Sequence, residues 1–209
     1  MPRLLTLRGR SALSPFRVAK LEDALGRALP LHRITGITAA WWHFVEVGRE
    51  LADGECAILD RILTYGPQGD DDDSAGSLLL VVPRPGTISP WSTKATDIAR
   101  HCGLDAVVRI ERGIGYRIAR EDGAAPDAAE RAALLPLVHD RMTQAVFDDL
   151  DDARRLFAHF PPRPLTTIPL TNGGVDALRR ANASLGLALA PDEIDYLAAA
   201  FGAMGRDPT

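Results

Sequence analysis

Residues 88–91 read ISPW, and residues 13–16 read LSPF, 75 positions earlier. In each tetrapeptide the serine is a preferred helix N-cap. The proline fits the first helical position, where its missing N–H is not needed. At the same offset Leu4-Leu5-Thr6-Leu7 falls on Leu79-Leu80-Val81-Val82, and Leu59, Ile62 and Leu63 fall on Leu134, Leu137 and Val138. The chain is therefore read as an internal duplication over residues 1–68 and 77–148, each unit running strand, helix, extended segment, helix.

Working outward through the first unit, residues 3–7 (RLLTL) suit a strand. The helix opened by Ser14-Pro15 places Val18, Leu21, Leu25, Ala28 and Leu29 on one face, and Pro30 ends it. ITGITAAWWHFVEVG (34–48) is rich in β-branched and aromatic residues and predicts one or two strands, bent near Ala39-Ala40. Its period of two sets Trp41 and His43 on one face, Trp42 and Phe44 on the other. A helix over about 54–65 turns Ile58, Leu59, Ile62 and Leu63 inward.

In the second unit SLLLVV (77–82) is a strand and Ser89-Pro90 opens a helix. VVRIERGIGYRI (107–118) is extended, and Asp127 with Glu130 forms a capping box before a helix near 128–138. RMTQAVF (141–147) is a closing strand. This order predicts an α+β fold. Two ferredoxin-like split βαβ units lie side by side as one pseudo-symmetric domain over 1–148, with helices on one face of each sheet. From 151 onward a helix over Asp151–Phe160, a Pro-rich crossing segment (161–170) and two helices, Val175–Leu185 and one starting at Pro191, predict a small helical linker domain over 151–209. The last helix carries Ile194, Leu197, Ala198, Phe201 and Met204 inward and stops at Gly205.

The 209 residues are 46% hydrophobic and 25% charged, enough to bury a core, and the net charge of −4 predicts no pull toward nucleic acid or an anionic membrane. No run approaches the ~18 apolar residues of a membrane span. MPRLLTLRGR has no signal-peptide h-region, so a cytoplasmic location is expected. Cys56 and Cys102 are expected as reduced, buried thiols. The run Asp70–Asp73 is expected to lie in a solvated loop. It lacks the alternating ligands of a calcium loop, so no metal site is assigned.

Side chains that bear on function gather in RPGTISPWSTK (84–94). Arg84, Thr87, Ser89, Trp91 and Lys94 bring cations and hydroxyls to a helix N-terminus, a composition suited to an anion contact or an interface. The plainer reading is that Ser89 caps, Pro90 sets φ, and Trp91 packs as Phe16 does in the first unit. That unit has no lysine at the position of Lys94. No pattern of a catalytic nucleophile or zinc site occurs, so no catalytic or metal residue is assigned.

RPGTISPWSTKATDIARHCGL (84–104) resembles a signature of the single-chain phosphoribosylformylglycinamidine synthase family, the glutamine amidotransferase and carbon–nitrogen ligase of purine biosynthesis. ITGI…WWHFVEV (34–47), LDRILTYGP (59–67), RIERGIGYRI (109–118), LVHDRMTQAVF (137–147) and residues 182–209 are similar to family segments in the same order. The resemblance implies an N-terminal domain like a dimer of the family's small accessory subunit, then a helical linker. The ATP-binding synthetase and a glutaminase with a Cys-His-Glu triad would follow. It implies that ATP and Mg2+ belong to the parent enzyme, and that this chain is non-catalytic alone. Its partners would be the synthetase and glutaminase domains, with self-association open. A free-standing ACT-like regulatory module or a scaffold protein is the alternative that the residues also allow.

Overall fold

Both Ser-Pro sites start helices. The computed structural model describes residues 3–66, 76–158, 161–162 and 164–209. The acidic run Asp70–Asp73 lies outside them. Ser14 Oγ accepts from Arg17 N at the head of α1 (Pro15–Ala28). Glu55 takes the N–H of Ala52 (2.8 Å) at the head of α2 (Asp53–Leu63). Ser89 Oγ accepts from Ser92 N at the head of α3 (Pro90–His101). Asp127 and Glu130 cap each other's backbone at the head of α4 (Ala128–Val138). The starts of α1 and α3, and of α2 and α4, are each 75 residues apart.

The extended segments are β1 (Arg3–Ser11), β2 (Ile34–Val47), β3 (Ser77–Pro83), β4 (Val107–Arg120) and β5 (Gln144–Phe147). Among the described residues they form one antiparallel sheet in the order β1-β2-β4-β3-β5. The α+β class is as expected, but two expectations change. There is one continuous sheet, because β2 and β4 pair along their length and close the edges that two separate sheets would leave open. β1 also lies directly beside β2, so no strand separates them as a split βαβ unit requires. The segment 34–47 is a single strand that keeps register with β4 from Ile37 to Glu46, while its pairing with β1 shifts between Arg8 and Ser11, opposite Trp42 and Ala40. Ala40 pairs with Gly115, its own equivalent at the 75-residue offset, so a pseudo-twofold axis passes between them. A Cβ on Gly115 would lie 2.5 Å from Trp42 Nε1, which explains the glycine there.

Alternation along the strands sorts the core onto two faces. On one face α1 and α4 pack Leu21, Leu25, Leu134 and Val138 over Ile37, Ala39, Leu79, Val81, Tyr116 and Ile118. On the same face α2 and α3 pack Leu59, Leu63, Ala95 and Ala99 over Val45, Val47 and Ile110. The other face buries Phe44, Leu80, Val82 and Phe147 under Ala153 and Leu156 of a 3-10 helix, Asp151–Phe157.

The chain divides into compact units of residues 1–160 and 161–209. The 3-10 helix, read from sequence as the start of the linker, thus belongs to the sheet domain, drawn there by Leu156. In the second unit α5 (Leu170–Leu185) starts earlier than expected and breaks at Gly174 (φ 60°, ψ −169°), next to the predicted start. α6 spans Pro191–Met204, and Leu170, Leu178 and Ile194 form the core between the two helices. Asn182 clips the turn by bonding both backbone groups of Leu189. Asp207 accepts from the Thr171 N–H and hydroxyl at 2.7 and 2.8 Å, tying the tail to the start of α5. Cys56 and Cys102 are free and exposed rather than buried: one sits on the first turns of α2, the other at the end of α3. No helix among the described residues is long and apolar enough to cross a membrane.

Candidate functional site: the β3–α3 loop and the cluster behind it

The connection from β1 to α1 has three residues and that from β3 to α3 has six. The strand ends are therefore 72 residues apart while the helix starts are 75 apart. The match of Leu4–Leu7 to Leu79–Val82 is not kept by the pairing, where Leu7 faces His43 and Ser77 faces Ile118, and the extra residues enlarge the loop singled out from sequence. Arg84-Pro85-Gly86-Thr87 is a turn closed by Thr87 N to Arg84 O (3.2 Å), with Gly86 at φ 86°. Proline second and a positive-φ glycine third is the type II pattern. Thr87 Oγ1 also donates to Arg84 O (2.7 Å), and Arg84 N donates to Thr143 O beside β5 (3.0 Å).

Ser89 does more than cap. Its hydroxyl accepts from Ser92 N (3.0 Å) and donates to Glu111 Oε2 (2.9 Å). Glu111 is fully buried on β4, and Arg109 grips it with Nε at 3.1 Å and Nη2 at 2.7 Å. Arg109 also donates to the carbonyls of Thr87 (3.3 Å) and Leu156 (2.9 Å), and its guanidinium lies 5.0 Å from the centre of the Phe157 ring. The charge at this helix N-terminus is thus internal. Donors that the sequence offered to an external anion are spent on Glu111 and on the loop itself, leaving Arg84, Thr87 and Lys94 exposed at the rim. Ile88 and Met142 are exposed beside them, 62% and 73%, and both line the shallow groove that Arg84 and Thr87 also border. Lys94 borders a neighbouring groove that shares Ile88 and Pro90.

Trp91 turns inward. Its sequence counterpart Phe16 is 77% exposed, so the two do not pack alike. The Trp91 ring lies 5.9 Å from His43 and 6.4 Å from Tyr65, while Tyr65 lies 6.1 Å from Trp41. The Arg112 guanidinium sits in their midst, 4.2 Å from the Trp41 ring centre and 4.5 Å from that of Trp91. Arg112 Nη1 donates to Tyr65 Oη (3.2 Å), which leaves the phenol proton for His43 Nε2 (2.7 Å). His43 Nδ1 then carries the ring proton, buried without a partner. Burial, then the Arg112 charge, lowers the His43 pKa to about 4, so the ring is neutral at pH 7. Gly9 is required beside it, since a Cβ there would lie 2.8 Å from His43 Cε1.

Of the five residues picked from sequence, the fold gathers Ser89 and Trp91 into the buried side of one loop and leaves Arg84, Thr87 and Lys94 outside. Glu111, Arg109 and Arg112 were missed. Their available signal was strand parity: Arg109 and Glu111 share a face of β4, which sets a cation and an acid side by side two residues apart. Among the described residues no three or more His, Cys, Asp or Glu side chains converge as a metal site. A family model described as formylglycinamide ribonucleotide amidotransferase N-terminal matches residues 40–157, more than half of the chain, from within β2 to the end of the 3-10 helix.

Proposed function

This chain belongs to the formylglycinamide ribonucleotide amidotransferase N-terminal family, and we propose that it is the non-catalytic coupling portion of that purine-biosynthetic enzyme. In this reading the parent converts formylglycinamide ribonucleotide to its amidine with ATP and glutamine. ATP and Mg2+ belong to the synthetase portion, glutamine hydrolysis to the glutaminase portion, and this domain holds the two in register. The exposed rim of the β3–α3 loop is the contact: Arg84, Thr87, Ile88 and Lys94, with Met142 beside them.

The observation that carries this is the division of labour within the loop. Its inner side is locked by a buried ion pair and an aromatic cluster, while its outer side presents apolar and cationic groups. A rigid loop with an apolar centre and a charged rim matches the anatomy of a protein interface. Losing two rim cations from such a contact removes about 1–2 kcal/mol, about tenfold in a coupling constant. The test is Arg84→Ala/Lys94→Ala in the full-length enzyme, comparing amidine formation driven by glutamine with that driven by ammonia. The glutamine-driven rate is expected to fall about tenfold relative to the ammonia-driven one. Unchanged activity with both donors, and unchanged stability, refutes the assignment.

A further inference from the structure

β4 carries Arg109, Arg112, Arg117 and Arg120 along its length, and Arg117 donates to the Gly76 carbonyl. Arg109 is neutralised by Glu111 at 2.7 Å, and Arg120 by Asp122 at 2.9 Å and Glu130 at 3.1 Å. Arg112 has no carboxylate within 4 Å among the described residues. Its Nη1 donates to Tyr65, and its guanidinium carbon lies over the Trp41 and Trp91 rings, 4.2 and 4.5 Å from their centres. Neither Nε nor Nη2 is buried without a partner, and the residue is only half-buried, so that edge of the guanidinium meets solvent.

From this geometry we infer that Arg112 is a preorganised receptor for an oxyanion, a carboxylate or a phosphate, bound through its free Nε–Nη2 edge. A guanidinium binds such groups through two parallel N–H···O bonds, and most of what it loses on binding is side-chain freedom. Here that freedom is already reduced: two indole rings flank the guanidinium carbon within 4.5 Å and a phenol oxygen accepts from Nη1. No described carboxylate pairs with the cation, and the aromatic faces around it stabilise its charge without neutralising it. The oxyanion supplies the missing charge. This inference is independent of the coupling role, since it concerns the chain by itself.

The two indoles report directly on the site. The 209-residue chain is titrated with sodium phosphate and, separately, with sodium acetate, against sodium chloride at equal ionic strength, following tryptophan fluorescence. A saturable change with phosphate or acetate, absent with chloride, is expected, and the anion that saturates at lower concentration identifies the class. Arg112→Met should abolish the change. Arg112→Lys keeps the charge and loses the fork, and should weaken binding at least fivefold; circular dichroism shows that each variant remains folded. A response equal to that of chloride overturns the inference, as does equal affinity in the lysine variant.

Discussion

Replacing Glu111 with glutamine probes the reason the loop is rigid. The carboxylate is fully buried, the side chain of its partner Arg109 is 16% exposed, and their closest contact is 2.7 Å. The amide of Glu111→Gln has nearly the same shape. It carries no charge, however, and turns an N–H2 toward either Arg109 or the Ser89 hydroxyl, both donors in the native arrangement. Breaking a buried pair by removing one partner costs about 3–5 kcal/mol, chiefly because the other charge stays buried and unpaired. For a domain of about 160 residues that corresponds to a melting temperature lower by about 6–20 °C. Glu50→Gln is the control: Arg3 and Glu50 approach to 3.0 Å but their side chains are 62% and 83% exposed. Such pairs contribute about 1 kcal/mol or less. Thermal unfolding by circular dichroism on both variants decides the matter. A Glu111→Gln protein that melts within about 2 °C of the parent, or no lower than Glu50→Gln, refutes the reasoning that β4 anchors the loop through this ion pair.

The duplication makes a second test from its own asymmetry: Trp91→Ala should destabilise by about 2–4 kcal/mol and Phe16→Ala by under about 0.5, read as urea midpoints. His43 is held neutral down to about pH 4, whereas an unfolded histidine binds its proton near 6.5. The unfolded chain therefore binds more protons in that window, and stability should fall as pH drops from 6.5 toward 4, by up to about 3 kcal/mol. His43→Asn should remove one proton's worth of that slope, measured by urea unfolding at several pH values. Glu55 is pulled down to about 2, first by the Arg49 hydrogen bond and then by the Ala52 N–H. Its contribution is present above the ordinary carboxylate pKa and lost as pH falls toward 2. Carboxyl-carbon NMR titration should place its midpoint there, and Arg49→Ala should return it toward 4.5.

Local chemistry determined much of this protein by itself. Ser14, Ser89 and the Asp127–Glu130 pair start helices because each side chain serves backbone donors within three residues. Strand parity put Trp41 with His43 and Trp42 with Phe44 because pleating is a property of the single strand. The duplication and the family resemblance were equally readable, since both are patterns along the chain. The sheet order was not. Whether two repeats pair β2 with β4 or keep separate sheets depends on unpaired backbone edges finding one another across about 75 residues, and no local residue encodes that choice. Cysteine burial failed for a similar reason: a residue type carries an average exposure, and its place on α2 or at the end of α3 sets the actual one. The site divided in the same way. Sequence supplied Arg84, Thr87, Ser89, Trp91 and Lys94 because they are contiguous. Only the tertiary structure brought in Glu111 from 22 residues beyond Ser89, and Arg112 from 47 beyond Tyr65. Electrostatic partners are chosen by distance in space under a low dielectric, and the packed sheet creates that distance and that dielectric together.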